Sequence, residues 1–236
     1  MEKIIHRADS RSFANHGWLQ SHHTFSFAGY YNPERIHFGA LRVLNDDTIK
    51  GGMGFGTHPH DNMEIVTIPL NGELEHRDNT GRHEIIRSNE VQIMSAGTGI
   101  SHSEFNASKT DPVSLLQIWV FPKLRNVKPR YQQQAFDPAD RLNKLQVVVS
   151  PEANSDALLI NQDAWFSLGR FEEGQSVDIA PKMAQHGSYL IVLEGEVEVA
   201  GEVLKRRDAI GLSQYDIATV KTLKAADFLL IDVPMS

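Results

Sequence analysis

The sequence predicts an all-β fold of two domains in tandem, each a sandwich or a barrel, with few short helices. Segments rich in β-branched and aromatic residues dominate the chain, and glycine, asparagine and aspartate interrupt them at short intervals, as in sandwiches and barrels. Amphipathic helix patterns are scarce, and only residues 137–140 and 151–156 are expected to form short helices. The predicted strands include residues 64–70, 113–121, 145–150, 189–193 and 227–233.

An internal repeat supports the division into two domains. Residues 70–75 (LNGELE) match residues 193–198 (LEGEVE) at an offset of 123, and each segment is predicted to form two strands joined by a turn at its glycine. Asn89, before an apolar strand, corresponds to Arg207 at an offset of 118, so the second copy should have a shorter hairpin. The polar segment 126–134 is expected to be an irregular connection. We therefore predict domains at residues 1–130 and 131–236.

Composition and charge exclude several classes of function. The chain has 236 residues and no cysteine, so disulfides and thiolate metal sites are excluded. Its net charge of −7 disfavours binding to phosphate backbones, and no nucleic-acid partner is expected. No apolar segment approaches the ~20 residues that cross a bilayer, and the first residues lack the apolar region of a secretory signal. We expect a cytoplasmic protein with no membrane partner.

Histidines are concentrated in the first half of the chain and form two short motifs. Ten of the eleven histidines lie in the first 102 residues, including His58 and His60 in THPH and His102 in SHSE. Alternate residues of a strand point to the same face, so His58 and His60 share one face, as do His102 and Glu104. Three imidazoles and one carboxylate suit a divalent transition metal. If the two segments meet inside a barrel, the sequence predicts a metal site.

The second half does not repeat these ligands. The two repeat offsets place the counterparts of the histidines and the glutamate at Pro181, Met183, Val220 and Thr222, none of which is a good ligand. One metal per chain is therefore expected, bound in residues 1–130. The alternative is that the histidines are solvated or satisfied in the core without any metal.

Two β domains with an H-x-H motif in the first resemble a duplication of the cupin domain. The first cupin motif is matched at Gly52, His58, His60 and Glu64. The second motif is matched at His102 and Asn106, although its proline and its first glycine are missing. Glu64 also has the strand parity of His58 and His60, so the motif pattern leaves two carboxylates as candidate ligands.

More narrowly, the chain resembles the pirin family, and in particular bacterial pirins described as quercetin 2,3-dioxygenases. The resemblance is carried by residues 17–28 (GWLQSHHTFSFA), 57–60 and 95–104 (SAGTGISHSE). It implies a bicupin of two β-barrel or jelly-roll domains with one non-haem metal in the first. Iron is the metal most expected, with manganese, copper, nickel, zinc and cobalt as alternatives. It also implies that Glu104, rather than Glu64, completes the metal set of His58, His60 and His102.

The resemblance implies cleavage of flavonols such as quercetin by O2 with release of carbon monoxide. In that reaction Glu104 would also act as the general base that takes the proton of the flavonol 3-hydroxyl. A flat aromatic substrate needs a mostly apolar pocket, and the candidate lining residues are Phe55, Met63, Met94 and Phe105. Trp18, His23 and Phe25 of the pirin-like opening are expected to pack.

Two other functions remain open at this point. Some pirins are described as regulators, so the chain could be a metal-dependent or redox-sensing protein that acts through a protein partner. A closed metal site or a pocket too narrow for a flavonol would favour that function. A weaker alternative is a cupin isomerase or epimerase of a small polar metabolite, which would have a pocket rich in arginine and lysine.

Overall fold

Twenty strands and two short 3-10 helices make up the regular structure of the protein, whose computed structural model describes all 236 residues. The strands of the first half are β1 (Glu2–His6), β2 (Ser12–Asn15), β3 (Leu19–His23), β4 (Leu41–Ile49), β5 (Gly54–His60), β6 (Glu64–Asn71), β7 (Glu73–Asp78), β8 (His83–Arg87), β9 (Glu90–Ser95), β10 (Ile100–Asn106) and β11 (Val113–Val120). Those that follow are β12 (Arg130–Ala135), β13 (Leu145–Ser150), β14 (Leu158–Leu159), β15 (Trp165–Phe171), β16 (Ser176–Ile179), β17 (His186–Val199), β18 (Glu202–Lys205), β19 (Ala209–Ser213) and β20 (Ala218–Pro234). The 3-10 helices are Ala8–Ser10 and Pro138–Arg141.

The strands form three sheets, and the predicted all-β bicupin fold is confirmed. In the first half, a seven-stranded sheet has the order β12-β9-β6-β11-β4-β3-β2, and a four-stranded sheet has the order β5-β10-β7-β8. The second half forms a nine-stranded sheet along β1-β19-β17-β20-β15-β13-β14, with β16 paired to β20 and β18 paired to β17. No helix in the structure is both long and apolar enough to cross a bilayer.

The repeat is visible in the backbone, but its glycines do not form the predicted hairpin turns. Gly72 and Gly195 have positive φ values of 81° and 87°. The chain continues in the same direction through each of them, from β6 into β7 and within the long β17. A Cβ atom at Gly195 would collide with the carbonyl oxygen of Ala225. Glycine is therefore needed where a strand bends from one face of the barrel to the next.

The sheets do not divide at residue 130. Strand β1, at the start of the chain, pairs with β19 of the second half. Strand β12 pairs with β9 of the first half, so the segment 126–134 is partly a strand rather than an irregular connection. Its polar side chains are used in hydrogen bonds, since Gln133 Nε2 donates to the Ile85 carbonyl oxygen at 2.9 Å. The exact limits of the two domains stay a prediction.

One of the two predicted helices is present, as a 3-10 turn. Asp137 caps Pro138–Arg141 by accepting a hydrogen bond from the Ala139 N–H at 2.9 Å. The segment 151–156 forms turns instead of a helix. There Ser150 Oγ accepts from the Glu152 N–H at 3.0 Å and Ser155 Oγ donates to the Glu152 carbonyl oxygen at 2.8 Å. These side chains satisfy backbone groups locally and compete with helical hydrogen bonds.

Two large apolar clusters hold the fold together. One contains 27 buried residues from both halves, including Phe25 and Phe38 from the first and Tyr189 from the second, so the two halves share a core. The other contains 15 buried residues of the second barrel, including Ile179 and Val220. The interior of the second barrel is thus filled by side chains, whereas the equivalent strands of the first barrel carry the polar motifs.

Candidate metal centre

The antiparallel pairing of β5 with β10 brings the two histidine motifs together. His102 lies directly opposite His58, and Ile100 lies opposite His60. The ring centroids are 4.5 Å apart for His58 and His102, and 4.9 Å apart for His60 and each of the other two imidazoles. One nitrogen from each ring lies within 4.8 Å of the others. The predicted convergence of three imidazoles is present.

The Glu104 carboxylate does not group with His58 and His60 within 4.8 Å. The register of β10 against β5 shifts between His102 and Glu104, so Glu104 faces Phe55 across the ladder. Its carboxylate instead groups with His102 and His76, again within 4.8 Å. Gln117 Nε2 donates to Glu104 Oε2 at 2.9 Å and fixes the orientation of the carboxylate. His102 is therefore shared by two neighbouring clusters of ligand-type side chains.

The donor atoms of these clusters fit a bound cation. His102 Nε2 and Glu104 Oε1 are buried and have no hydrogen-bond partner. A buried polar atom without a partner destabilises a fold by about 1–3 kcal/mol, and a divalent metal that accepts both lone pairs removes that penalty. His58 Nδ1 donates to the Gly56 carbonyl oxygen at 2.8 Å, which leaves its Nε2 as a free ligand atom.

Burial keeps two of the imidazoles in the neutral form that a metal requires. Desolvation by burial, followed by the neighbouring imidazoles, lowers the pKa of His60 to about 4 and that of His102 to about 3. Both values lie below the ordinary histidine pKa of 6.5. Protons therefore compete weakly with a metal at these two rings near neutral pH.

His76 is a buried neighbour that the sequence motifs did not identify. It lies on β7, is fully buried, and its Nδ1 is 3.4 Å from His102 Nδ1. Its Nε2 is 3.1 Å from Asp78 Oδ2. An H-x-D pattern at 76–78 has the same strand alternation as H-x-E at 102–104, and β7 pairs with β10. That alternation is the signal that could have identified His76, which positions His102 through the Nδ1 contact.

Aromatic side chains surround the half-buried histidines. The Trp119 ring packs edge-on against His60 with centroids 5.0 Å apart, and the Phe55 ring lies 6.3 Å from His58. Of the predicted lining residues, Phe55 is therefore beside the site, whereas Met94 is completely buried in a separate apolar cluster. Trp119 was not among them, and its Nε1 is buried without a partner. Trp18 packs on Phe55 at 5.1 Å, as its expected packing role requires.

Comparison with known proteins agrees with this geometry. Residues 6–120 match the family model described as Pirin, and residues 147–233 match the model described as Quercetinase C-terminal cupin domain. The chain is 41% identical over 232 residues to the Escherichia coli K12 protein named Quercetin 2,3-dioxygenase, covering 98% of each. The chain belongs to the pirin family.

Solved structures extend the likeness to the whole fold of this pirin. The crystal structure of the bacterial pirin YhhW from Escherichia coli in complex with nickel(II) superposes with a TM-score of 0.94 at 38% identity, covering 100% of both chains. A quercetin 2,3-dioxygenase from Acinetobacter baumannii superposes with a TM-score of 0.78 at 20% identity, covering 98% of this chain and 86% of the other. At that identity the second match shows the shared fold alone.

The structure separates the two carboxylates between which the cupin motif left a choice. Strand parity predicted that Glu64 shares a face with His58 and His60, and this was wrong because β5 ends at His60 and β6 begins in another sheet. Glu64 is fully buried, and its Oε2 accepts hydrogen bonds from Ser95 Oγ at 2.7 Å and the Asn161 N–H at 3.0 Å. It belongs to neither cluster of ligand-type side chains.

Proposed function

We propose that this pirin is a metal-dependent dioxygenase that cleaves flavonols such as quercetin with O2 and releases carbon monoxide. The observation that carries the proposal is the pair of buried, unpartnered atoms, His102 Nε2 and Glu104 Oε1, beside two further imidazoles. The sequence identity of 41% to a protein named Quercetin 2,3-dioxygenase supports the substrate class. The net charge of −7 favours a small-molecule partner over nucleic acid.

The metal would be held by His58, His60, His102 and Glu104. We propose iron as the resident metal, and other divalent transition metals suit the same imidazole and carboxylate donors. When bound, the metal supplies Lewis-acid polarisation of the substrate hydroxyl. The chain itself prepares this site, because Gly56 orients His58 and His76 orients His102 before any ligand arrives.

Glu104 would take the proton of the flavonol 3-hydroxyl. Gln117 Nε2 occupies Glu104 Oε2, and Thr67 Oγ1 in turn donates to Gln117 Oε1 at 3.1 Å. This chain of hydrogen bonds holds the carboxylate in one orientation and leaves Oε1 as the atom that would bind the metal. To act as a general base, Glu104 would take the proton on the same oxygen once that oxygen leaves the metal.

The surroundings of the histidines suit a flat aromatic substrate. His58 and His60 are half-buried, so the ligand cluster is reached from solvent on their side, while His102 and Glu104 are buried behind them. Trp119 and Phe55 flank that approach and offer ring faces for stacking. These aromatic neighbours favour a flavonol over the small polar metabolite of an isomerase or epimerase.

The proposal is tested by supplying quercetin to the metal-restored protein. We expect bleaching of the near-ultraviolet band of quercetin, uptake of O2 and release of carbon monoxide, all abolished by a chelator and by His102→Ala. His16→Ala is the matched control, because His16 is exposed and belongs to neither cluster of ligand-type side chains. A protein loaded with each of several divalent metals that consumes no O2 with any 3-hydroxyflavone would contradict the proposal and favour the regulatory alternative.

A further inference from the structure

The one histidine of the second half sits in a buried polar cluster that the metal centre does not use. His186 begins β17 and its side chain is 4% exposed. Its Nδ1 donates to Asp232 Oδ1 at 2.6 Å. Asp232 Oδ2 also accepts from Ser188 Oγ at 3.0 Å and the Lys182 N–H at 3.2 Å. Three donors therefore converge on one carboxylate and fix the imidazole, while burial raises the pKa of Asp232 above its usual range.

The arrangement leaves the other ring nitrogen of His186 as an acceptor. With the hydrogen on Nδ1, a neutral imidazole carries a lone pair on Nε2, and Nε2 forms no hydrogen bond within the protein. The cluster is closed on its other side, since the Tyr215 hydroxyl donates to Ser188 Oγ at 2.6 Å. In the His186–Asp232 pair, which we call the dyad, Nε2 of His186 is thus the one atom that is available to a ligand.

His186 opens onto a cleft of about 910 Å³. This volume lies within the range of roughly 300–1,000 Å³ that is common for small-molecule sites. The lining of the cleft is mixed: Pro181, Met183, Tyr215 and Met235 offer apolar or aromatic surface, and most of the other lining residues are polar or charged. Methionine side chains adapt to flat rings and make favourable contacts between sulfur and aromatic groups.

We propose that this cleft is a second ligand site, which binds a phenol by accepting its hydroxyl hydrogen on His186 Nε2 while the ring lies against Met183 and Met235. A phenol matches both features, because it presents a donor at the edge of an apolar ring. Asp232 strengthens the acceptor by holding the proton on Nδ1. The only base in the cleft wall besides His186 is Lys182, so a carboxylate or phosphate ligand would meet little positive charge.

The proposed phenol site is independent of the metal centre. None of the residues that line the cleft belongs to either cluster of ligand-type side chains on β5, β7 and β10. The proposal therefore does not rest on the proposed dioxygenase activity, although the two sites would take related compounds. Removing the dyad should leave flavonol turnover unchanged.

Calorimetric titration of the full-length protein with 4-nitrophenol and 4-nitroanisole, at a pH acidic enough for 4-nitrophenol to keep its hydroxyl hydrogen, tests the site. The two probes share a ring, but 4-nitroanisole has no hydroxyl hydrogen to donate. We expect 4-nitrophenol to bind with one equivalent per chain and about tenfold more tightly than 4-nitroanisole. The binding should persist after chelator treatment and in a His58→Ala/His60→Ala variant, which separates it from the metal centre.

Two variants address the cleft from different sides. His186→Phe should remove the preference for 4-nitrophenol, and His16→Phe, at an exposed histidine elsewhere, should retain it. Because His186→Phe leaves Asp232 buried without its partner and could unfold, Ala184→Trp provides a second test. Ala184 is exposed in the cleft wall, so tryptophan there should obstruct the cleft and weaken the binding of both probes while His186 and Asp232 stay unchanged.

The nitrogen atom itself gives a direct readout. In protein labelled with nitrogen-15 at histidine, the Nε2 resonance missing from His186→Phe should shift when 4-nitrophenol is added to the wild type. The proposal is overturned if wild-type protein does not discriminate between the two probes, or if 4-nitrophenol binding survives in both His186→Phe and Ala184→Trp. In either case the dyad would serve only to tie β17 to β20.

Discussion

The strand pair β5–β10 in the first barrel and the pair β16–β20 in the second have the same register. The first pair carries histidines where the second carries apolar side chains. His102 lies opposite His58 and Ile100 opposite His60 in the first pair, whereas Val220 lies opposite Val177 and Ala218 opposite Ile179 in the second. Positions 100 and 102 correspond to 218 and 220 at one constant offset. The counterparts of His58 and His60 are therefore Val177 and Ile179.

This comparison corrects the counterparts that the sequence repeat predicted. The offset of 123 at residues 70–75 had placed them at Pro181 and Met183, which lie in the segment after β16. The offset differs because the connection from this strand to the next is longer in the second copy. The conclusion drawn from the repeat is unaffected, because valine and isoleucine cannot bind a metal either.

The difference shows that the same position in a cupin barrel can hold either the side chains of a candidate metal site or packed apolar side chains. Ile179 and Val220 are 2% and 1% exposed and belong to the apolar cluster of the second barrel. Thr222, the counterpart of Glu104, donates its hydroxyl to the carbonyl oxygens of Glu172 and Gln175 at 2.6 and 2.9 Å. Every polar atom of that position is satisfied, whereas the first barrel leaves Glu104 Oε1 without a partner.

The sharpest way to break the comparison is to give the first barrel the residues of the second. His58→Val/His60→Ile should reduce bound metal from one equivalent per chain to nearly none, because two of the proposed ligands are lost. Elemental analysis of purified protein measures the change. Val177→Ala, at the counterpart position, is the control and should retain a full equivalent. Metal content that the double variant keeps would place the site elsewhere.

Glu104→Gln tests whether the unpartnered carboxylate is chemical rather than structural. Glutamine keeps the shape but removes the anionic base and weakens the metal set, so we expect quercetin turnover to fall by about 10²–10⁴-fold with a small change in melting temperature. Glu64→Gln, a buried carboxylate outside the site, should affect turnover less. The reverse order would mean that Glu64 acts as the ligand of this pirin.

Substitutions in the second barrel should affect stability more than the equivalent substitutions in the first barrel. Ile179→Ala removes a buried side chain from the packed second barrel and should lower the free energy of unfolding by about 2–5 kcal/mol. His60→Ala, at the counterpart position, is half-buried and should lower that of the metal-free protein by less. Urea titration of the two metal-free variants measures the difference. Equal losses would show that the first barrel depends on its imidazoles for packing.

The smallest effect is expected at His6, where β1 of the first half joins the second barrel. Burial, followed by the charge of Arg35, lowers the pKa of His6 from 6.5 to about 4. Between pH 6.5 and about pH 4 the unfolded chain binds a proton at His6 that the folded chain does not. The free energy of unfolding therefore falls as the pH decreases through this range and levels off below about pH 4. The total decrease should be about 1–3 kcal/mol. His6→Gln should flatten that part of the pH profile in thermal melts, and an unchanged slope would assign it to other groups.

The sequence predicted the elements with strong local signals and missed those that depend on distant partners. The predicted strand 145–150 matches β13, and 113–121 exceeds β11 by one residue, because alternating apolar residues reflect burial directly. The polar β12 had no such pattern, since its glutamines are stabilised by hydrogen bonds to Ile85 and to other distant backbone groups.

In the candidate site, too, some residues were predicted from local motifs and others depend on distant partners. His58, His60 and His102 were predicted from spacing, and they converge because β5 and β10 pair in register. Glu104 depended on the family resemblance, since motif spacing alone also allowed Glu64. Trp119 belongs to β11, and its proximity to His60 follows from the curvature of the barrel, which no short motif encodes. His76 belongs to β7, and its H-x-D alternation was the one local signal that could have identified it.

The pairing of β1 with β19 has a consequence for how the molecule denatures. A fragment of residues 131–236 would lack β1 and expose the hydrogen-bonding edge of β19, and a fragment of residues 1–130 would lack β12 and expose β9. Unpaired edges of this kind invite association with other chains. Together with the core that the two halves share, this interlocking favours a single cooperative melting transition, so neither barrel should survive as an autonomous folding unit when the chain is cut between them.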